Sequence, residues 1–133
     1  LFSSLRYQNY RRIFFYSSLN STGGWAGQLA IEWLVLDLTG SALALGGMIG
    51  IQVAPIIIMS LIGGSFADKF SEKRILLATS TFFVFIYALI FISYRRGGLD
   101  YGLLALLAFS LSTVGAIQAP VFTALSIKVV PEE

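Results

Sequence analysis

The chain has 133 residues, of which 56% are hydrophobic and only 12% are charged, and its mean hydropathy is +0.81. Soluble domains are about one quarter charged, so this composition predicts a polytopic membrane protein. Cysteine and histidine are absent, which excludes disulfides and the usual thiolate and imidazole metal sites. The net charge is +2, but the basic residues lie at the ends of apolar runs rather than on one continuous face, so they do not indicate nucleic-acid binding.

Residues 1–12 form an amphipathic lead-in to the first apolar run. Aromatic residues are interleaved there with Arg6, Arg11 and Arg12, a pattern typical of a segment lying at the membrane interface. The chain begins with Leu1 rather than Met and ends on Glu133, so we expect it to be a fragment of a longer polypeptide.

The first predicted helix covers residues 13–36. At about 1.5 Å per residue, its charge-free part is long enough to cross a hydrocarbon core about 30 Å thick. Four residues recur at a spacing of four and share one helical face: Asn20, Gly24, Gln28 and Glu32. Lipid penalises such a face, so we expect it to point into a bundle or a water-filled cavity.

The second predicted helix covers residues 41–66, after a turn in which Gly40 suits a helix C-terminus and Ser41 an N-cap. Small residues recur along it every four positions, which favours close helix packing in a bilayer. They are Ala42, Gly46, Gly50 and Ala54. Pro55 predicts a kink in this helix.

A charged loop at 67–74 precedes a third helix at 75–94, which is rich in phenylalanine, and a fourth helix at 101–127. The fourth contains Gln118 and Pro120 in its interior. Short connections make the four helices antiparallel neighbours, and no β pattern competes with them. The predicted fold class is therefore all-α, with four transmembrane helices.

Lysine and arginine are distributed unequally between the two sides of the membrane. Two lie on one side, Arg95 and Arg96, and seven lie on the other: Arg6, Arg11, Arg12, Lys69, Lys73, Arg74 and Lys128. Because cytoplasmic loops carry the excess of basic residues, we predict that both termini and loop 67–74 are cytoplasmic. This places the protein in the inner or plasma membrane, most simply of a bacterium.

Loop 67–74 and the residues before it resemble the motif between the second and third helices of the major facilitator superfamily. The matching residues are Gly64, Ala67, Asp68, Lys69, Lys73 and Arg74, whereas Ser71 and Glu72 depart from the pattern. The resemblance implies a twelve-helix transporter of two six-helix halves, each with inverted three-helix repeats and a substrate site near the midplane. Residues 1–133 would then be part of the N-terminal half.

Further segments resemble the branch of this superfamily that contains enterobactin and macrolide exporters. They are residues 5–11, 33–35, 38–46, 119–120 and 130–132. That resemblance implies proton-coupled efflux of a drug, macrolide or siderophore by alternating access. The implied partners are a small-molecule substrate, protons, membrane lipid and the remaining helices of the same transporter, with no cofactor and no nucleic acid.

Each candidate residue has a second interpretation. Asp68 is either part of a solvated loop or the centre of a conformational latch with Gly64, Lys69, Lys73 and Arg74. Glu32 either reaches the lipid headgroups or is a protonatable group of the transport cycle. Asn20, Gln28 and Gln118 either line the cavity or join helices.

Two other classes of protein fit the same pattern. One is a stand-alone four-helix exporter that acts as a dimer, and the other is a membrane scaffold subunit without a substrate. Enzyme chemistry finds no support in the sequence, because it contains no nucleophile–base pair and no phosphate-binding glycine loop.

Overall fold

The computed structural model describes residues 8–62 and 72–129. They form four α-helices: α1 at Gln8–Thr39, α2 at Ala42–Ile62, α3 at Glu72–Arg95 and α4 at Tyr101–Val129. No strand occurs in these two ranges. The predicted all-α fold class is therefore confirmed.

Helices α1, α3 and α4 extend beyond the apolar runs that identify them in the sequence, whereas α2 is described from Ala42 to Ile62 within its predicted range. α1 begins at Gln8, inside the segment expected to be an interfacial lead-in, and α3 begins at Glu72, inside the segment expected to be a loop. The physical reason is that hydropathy marks where a helix leaves lipid, whereas backbone hydrogen bonding continues past that point. The last turn of α3 contains Arg95, whose charge complements the helix dipole.

The connection between α1 and α2 is a two-residue turn. Gly40 has a φ of 61°, which a residue with a Cβ rarely adopts, and its N–H donates to the carbonyl of Leu36 at 2.8 Å. The Ser41 hydroxyl then accepts a hydrogen bond from the N–H of Ala44 at 3.3 Å, as an N-cap does. The helix end and the helix start predicted here are both found.

The connection between α3 and α4 begins with a Schellman motif. Gly97 has a φ of 69°, its N–H donates to the carbonyl of Tyr94, and the N–H of Gly98 donates to the carbonyl of Ser93, each at 3.0 Å. Asp100 then caps α4, because its Oδ1 accepts a hydrogen bond of 2.7 Å from the N–H of Leu103.

The apolar core lies in the half of the bundle that is next to these two turns. All four helices contribute to it, and α4 packs against each of the other three. The buried members are Ile31, Val35, Met48, Ile86, Ile90, Leu99, Leu104, Leu107, Ala108 and Leu111. The ends of the helices near the two turns are therefore held together by side-chain packing.

Three of the four described helices are long and apolar enough to cross a membrane, with candidate spans at Ala42–Met59, Lys73–Arg95 and Tyr101–Val121. Many of their large apolar side chains are exposed, as expected of surfaces that face lipid or further helices. α1 has 32 residues and is long enough to span, but its polar side chains keep it outside this group. Of the four described helices, α1 is thus the least suited to lipid.

Candidate functional site

The polar face of α1 carries a hydrogen-bonded pair of side chains. Gln28 Nε2 donates to Glu32 Oε1 at 3.1 Å, and both residues are half-buried. They are four positions apart in the sequence, so they lie one helical turn apart and face the same way. The structure therefore brings together two of the residues that the sequence singled out, and it holds the carboxylate of Glu32 with an amide donor.

Asn20 and Gly24 continue this face towards the start of α1. Asn20 is exposed, and a Cβ built on Gly24 would meet no described atom within 4 Å. No other described helix covers the polar face at these two positions. The face is thus open along the half of α1 that lies away from the core.

Large apolar side chains flank the pair on its outer side. Trp25 is 71% exposed, Leu29 is 63% exposed and Trp33 is 69% exposed. Since these residues fall at i, i+4 and i+8, they form one stripe beside Gln28 and Glu32. An amide, a carboxylate and two indole rings are therefore presented together on one side of α1.

The opposite side of α1 is fixed against the bundle. Ile31 and Val35 are buried in the core, and Gly27 lies against the ring of Tyr87 from α3. A Cβ on Gly27 would lie only 2.6 Å from Tyr87 Cζ. These contacts set the rotation of α1 about its own axis, and this rotation leaves Gln28 and Glu32 at the edge of the bundle.

Gln118 lies elsewhere, in a polar bridge formed by Tyr16, Ser80 and Gln118. Gln118 is 5% exposed, and its Nε2 donates to the Tyr16 hydroxyl at 3.3 Å. That hydroxyl is also 3.3 Å from Ser80 Oγ, so α1, α3 and α4 meet at one phenol oxygen. This arrangement joins helices, which is one of the two interpretations that the sequence left open for Gln118.

Sequence reasoning missed Tyr16, Ser80 and Gln52. Each is a polar side chain inside a helix, where a hydrogen-bond partner is needed, and that is the signal that could have identified them. Gln52 is the polar residue at the centre of α2, and it is 8% exposed. The sequence could not show which helix each of them faces.

The proposed latch lies mostly beyond the described structure. Gly64, Asp68 and Lys69 are outside the described residues, whereas Lys73 and Arg74 are exposed near the start of α3. The latch therefore stays a prediction. Among the described side chains, no group of three His, Cys, Asp or Glu residues could hold a metal ion.

The small-residue stripe of α2 is open in this bundle. A Cβ on Gly46 or Gly50 would meet nothing within 4 Å among the described atoms, Ala42 is exposed and Ala54 is half-buried. α2 instead uses the face with Met48 and Pro55, both fully buried. Packing along the stripe stays a prediction that concerns helices other than these four.

Long apolar helices with exposed apolar surfaces define this chain as a multi-pass integral membrane protein. Residues 1–133 match the family described as transmembrane secretion effector, a family of the major facilitator superfamily. The chain belongs to that family, and the resemblance drawn from the loop motif is confirmed.

One curated relative is the staphyloferrin A transporter of Staphylococcus aureus (strain NCTC 8325 / PS 47). It is 28% identical to this chain over 116 residues, which are 86% of this chain. The match spans 29% of that relative's length. No solved structure matches the chain at a significant level.

Proposed function

We propose that this chain takes part in moving a small molecule across a membrane by alternating access, as an exporter driven by proton exchange. The observation that carries the proposal is the Gln28–Glu32 pair on the open polar face of α1. Membership of the transmembrane secretion effector family supports transport as the general activity.

The charge of Glu32 limits where this residue can lie. An ionised carboxylate that faces lipid is costly, by about 2.5–3.5 kcal/mol at the centre of a spanning helix. Glu32 lies about two turns from the end of α1 at Thr39. The core contacts of Ile31 and Val35 prevent α1 from turning this residue into the four-helix core. The polar face of α1 therefore has the lowest free-energy cost when it lines a cavity between this bundle and the remaining helices of the transporter.

The roles follow from the side-chain chemistry. Glu32 takes up and releases the exchanged proton, because it can exist in a charged and a neutral form. Gln28 donates a hydrogen bond to the charged form and orients the carboxylate. Asn20, exposed on the same helix, hydrogen-bonds the transported molecule.

The proposed cargo is a siderophore, a macrolide or another drug. The relative's name specifies transport of staphyloferrin A, which supports the siderophore among these. In this proposal Gly64, Asp68, Lys69, Lys73 and Arg74 form a cytoplasmic latch that closes against the other half of the transporter, and both ends of the chain are cytoplasmic.

The test uses Glu32→Gln in the complete transporter, reconstituted in vesicles. We expect cargo uptake driven by a pH gradient to fall at least about tenfold, because the glutamine amide cannot carry a proton. Exchange of labelled for unlabelled cargo in the absence of a gradient should continue. A Glu32→Gln transporter that works at the wild-type rate, with the wild-type response to pH, contradicts the proposal.

Asp37→Asn is the matched control, since Asp37 lies exposed at the end of the same helix. Its Oδ2 accepts a hydrogen bond of 2.8 Å from the Tyr94 hydroxyl, which an amide oxygen can also accept. The control thus removes one negative charge from α1 and leaves transport unchanged.

A further inference from the structure

Gln52 places an amide inside the bundle without a hydrogen-bond partner. The residue is 8% exposed, at the centre of α2, and its Nε2 has no partner in the part of the chain that the structure describes. It shares a helical face with Met48 and Pro55, which are both fully buried. An amide that bulk water cannot reach needs another acceptor, because a buried unpaired donor is costly.

Pro55 creates an acceptor in the same turn of α2. It lies inside the helix and has no N–H, so it cannot donate to the carbonyl of Ile51 as residue i+4 normally does. The ring of a helical proline also crowds the carbonyl of residue i−4, which here is that of Ile51. One helical turn of α2 thus contains a buried donor from Gln52 and a backbone acceptor from Ile51.

We propose that a single buried water molecule binds at this turn, accepting a hydrogen bond from Gln52 Nε2 and donating one to the Ile51 carbonyl. Water is the ligand that fits, because it can accept from the amide and donate to the carbonyl at the same time. Ordered water is one of the means by which proline-broken helices in membranes satisfy their freed backbone groups. The site is independent of the proposed transport activity, since it lies on α2 and involves no residue of the α1 polar face.

The bound water affects the mechanics of α2. The Ile51 carbonyl is bonded through the water to the Gln52 side chain, where a direct backbone hydrogen bond from residue 55 would otherwise lie. Gly46, Gly47 and Gly50 precede the site within two turns, and glycine weakens a helix interior. The water therefore stabilises a turn of α2 that directly follows these glycines.

The experiment is a double-mutant cycle on the midpoint of thermal unfolding, with the complete protein in detergent. Gln52→Met removes the amide at nearly constant volume, and Pro55→Ala returns an N–H to the Ile51 carbonyl. With the water present, we expect Gln52→Met alone to lower the midpoint by up to about 4 °C, since one lost interaction shifts the midpoint less in a larger protein. We expect Pro55→Ala to raise the midpoint more in the Gln52→Met background than in the wild-type background. In the wild-type background, Pro55→Ala displaces the water and leaves the Gln52 amide unpaired, which offsets part of the gain. In the Gln52→Met background there is no amide to lose its partner.

Two outcomes overturn the proposal. If Gln52→Met raises the midpoint, the amide is unpaired in the native protein and no water holds it. If Gln52→Met lowers the midpoint but its effect adds simply to that of Pro55→Ala, the amide is bonded to a helix elsewhere in the protein.

A structure of the complete protein that resolves water supplies a second measurement. We expect a density peak about 2.7–3.2 Å from both Gln52 Nε2 and the Ile51 oxygen. A peptide or side-chain atom at that position instead of water contradicts the proposal, as does a direct contact between the two groups.

Discussion

The phenol ring of Tyr87 in α3 lies directly against the backbone of Gly27 in α1. A Cβ on Gly27 would come within 2.6 Å of Tyr87 Cζ, so a side chain larger than hydrogen cannot be accommodated without moving the ring. This contact sets how α1 is rotated against the bundle. It therefore bears on where Gln28 and Glu32 point.

We predict that Gly27→Ala destabilises the protein by about 1–3 kcal/mol, the usual cost of overpacking a tight contact. The free energy of unfolding in detergent measures it. Tyr87→Phe in the same protein should restore part of the loss, because the hydroxyl is the atom closest to the added methyl group.

Gly24→Ala is the matched control for this prediction, since it lies one turn away on the same helix with no described atom within 4 Å of its Cβ position. It should leave stability unchanged or raise it by up to about 1 kcal/mol, the difference between glycine and alanine in a helix. Equal effects of the two substitutions would show that the Tyr87 contact does not constrain α1.

The polar bridge predicts coupling between three helices. Tyr16→Phe leaves the buried amide of Gln118 without the hydroxyl that it bonds, and we expect a loss of about 1–2 kcal/mol in unfolding free energy. Ser80→Ala should cost less by itself, and its effect should nearly vanish in the Tyr16→Phe background, because both changes remove the same contact.

Thr81→Val is the control for the bridge. Its hydroxyl donates within α3 to the carbonyl of Leu77, and the residue is exposed, so its removal should change stability by no more than about 0.5 kcal/mol. Strictly additive effects of Tyr16→Phe and Ser80→Ala would contradict a shared hydrogen-bonded cluster.

The orientation in the membrane can be read with single cysteines introduced into residues 1–133, which contain none, after any cysteine elsewhere in the complete transporter has been replaced. Arg96 and Lys73 are both exposed and lie near opposite ends of α3. We predict that a membrane-impermeant thiol reagent labels Arg96→Cys in intact cells, whereas Lys73→Cys is labelled only after the cells are opened. The reverse pattern would invert the topology derived from the basic residues.

Asp68 provides the test of the latch. We predict that Asp68→Asn in the complete transporter reduces transport at least about tenfold, with normal insertion into the membrane, because the amide cannot form a charge-assisted bond to a basic or helix-terminal partner. Asp37→Asn is again the control for a change of one negative charge. If the Asp68→Asn transporter works near the wild-type level, the latch is contradicted, and the charges of loop 67–74 serve only to orient the protein in the membrane.

The sequence alone determined the number of helices, their approximate bounds and the residues of the polar face of α1. Apolar runs of sufficient length can only be helices in a membrane, because every backbone group in lipid must be satisfied internally. Gly40 was identifiable as a helix terminus for a similarly local reason, since its positive φ is open to glycine at little cost. The loop motif was sufficient to identify the superfamily.

Only the tertiary structure decided which faces meet. Lipid and protein interiors are equally apolar, so hydropathy does not separate a packed face from a lipid-facing one, and the small-residue stripe of α2 illustrates this. Tyr16 finds its partners 64 and 102 residues away along the chain, and no local pattern encodes such pairs. The position of Tyr87 over Gly27 and the burial of Gln52 beside Pro55 likewise depend on how four helices fit together.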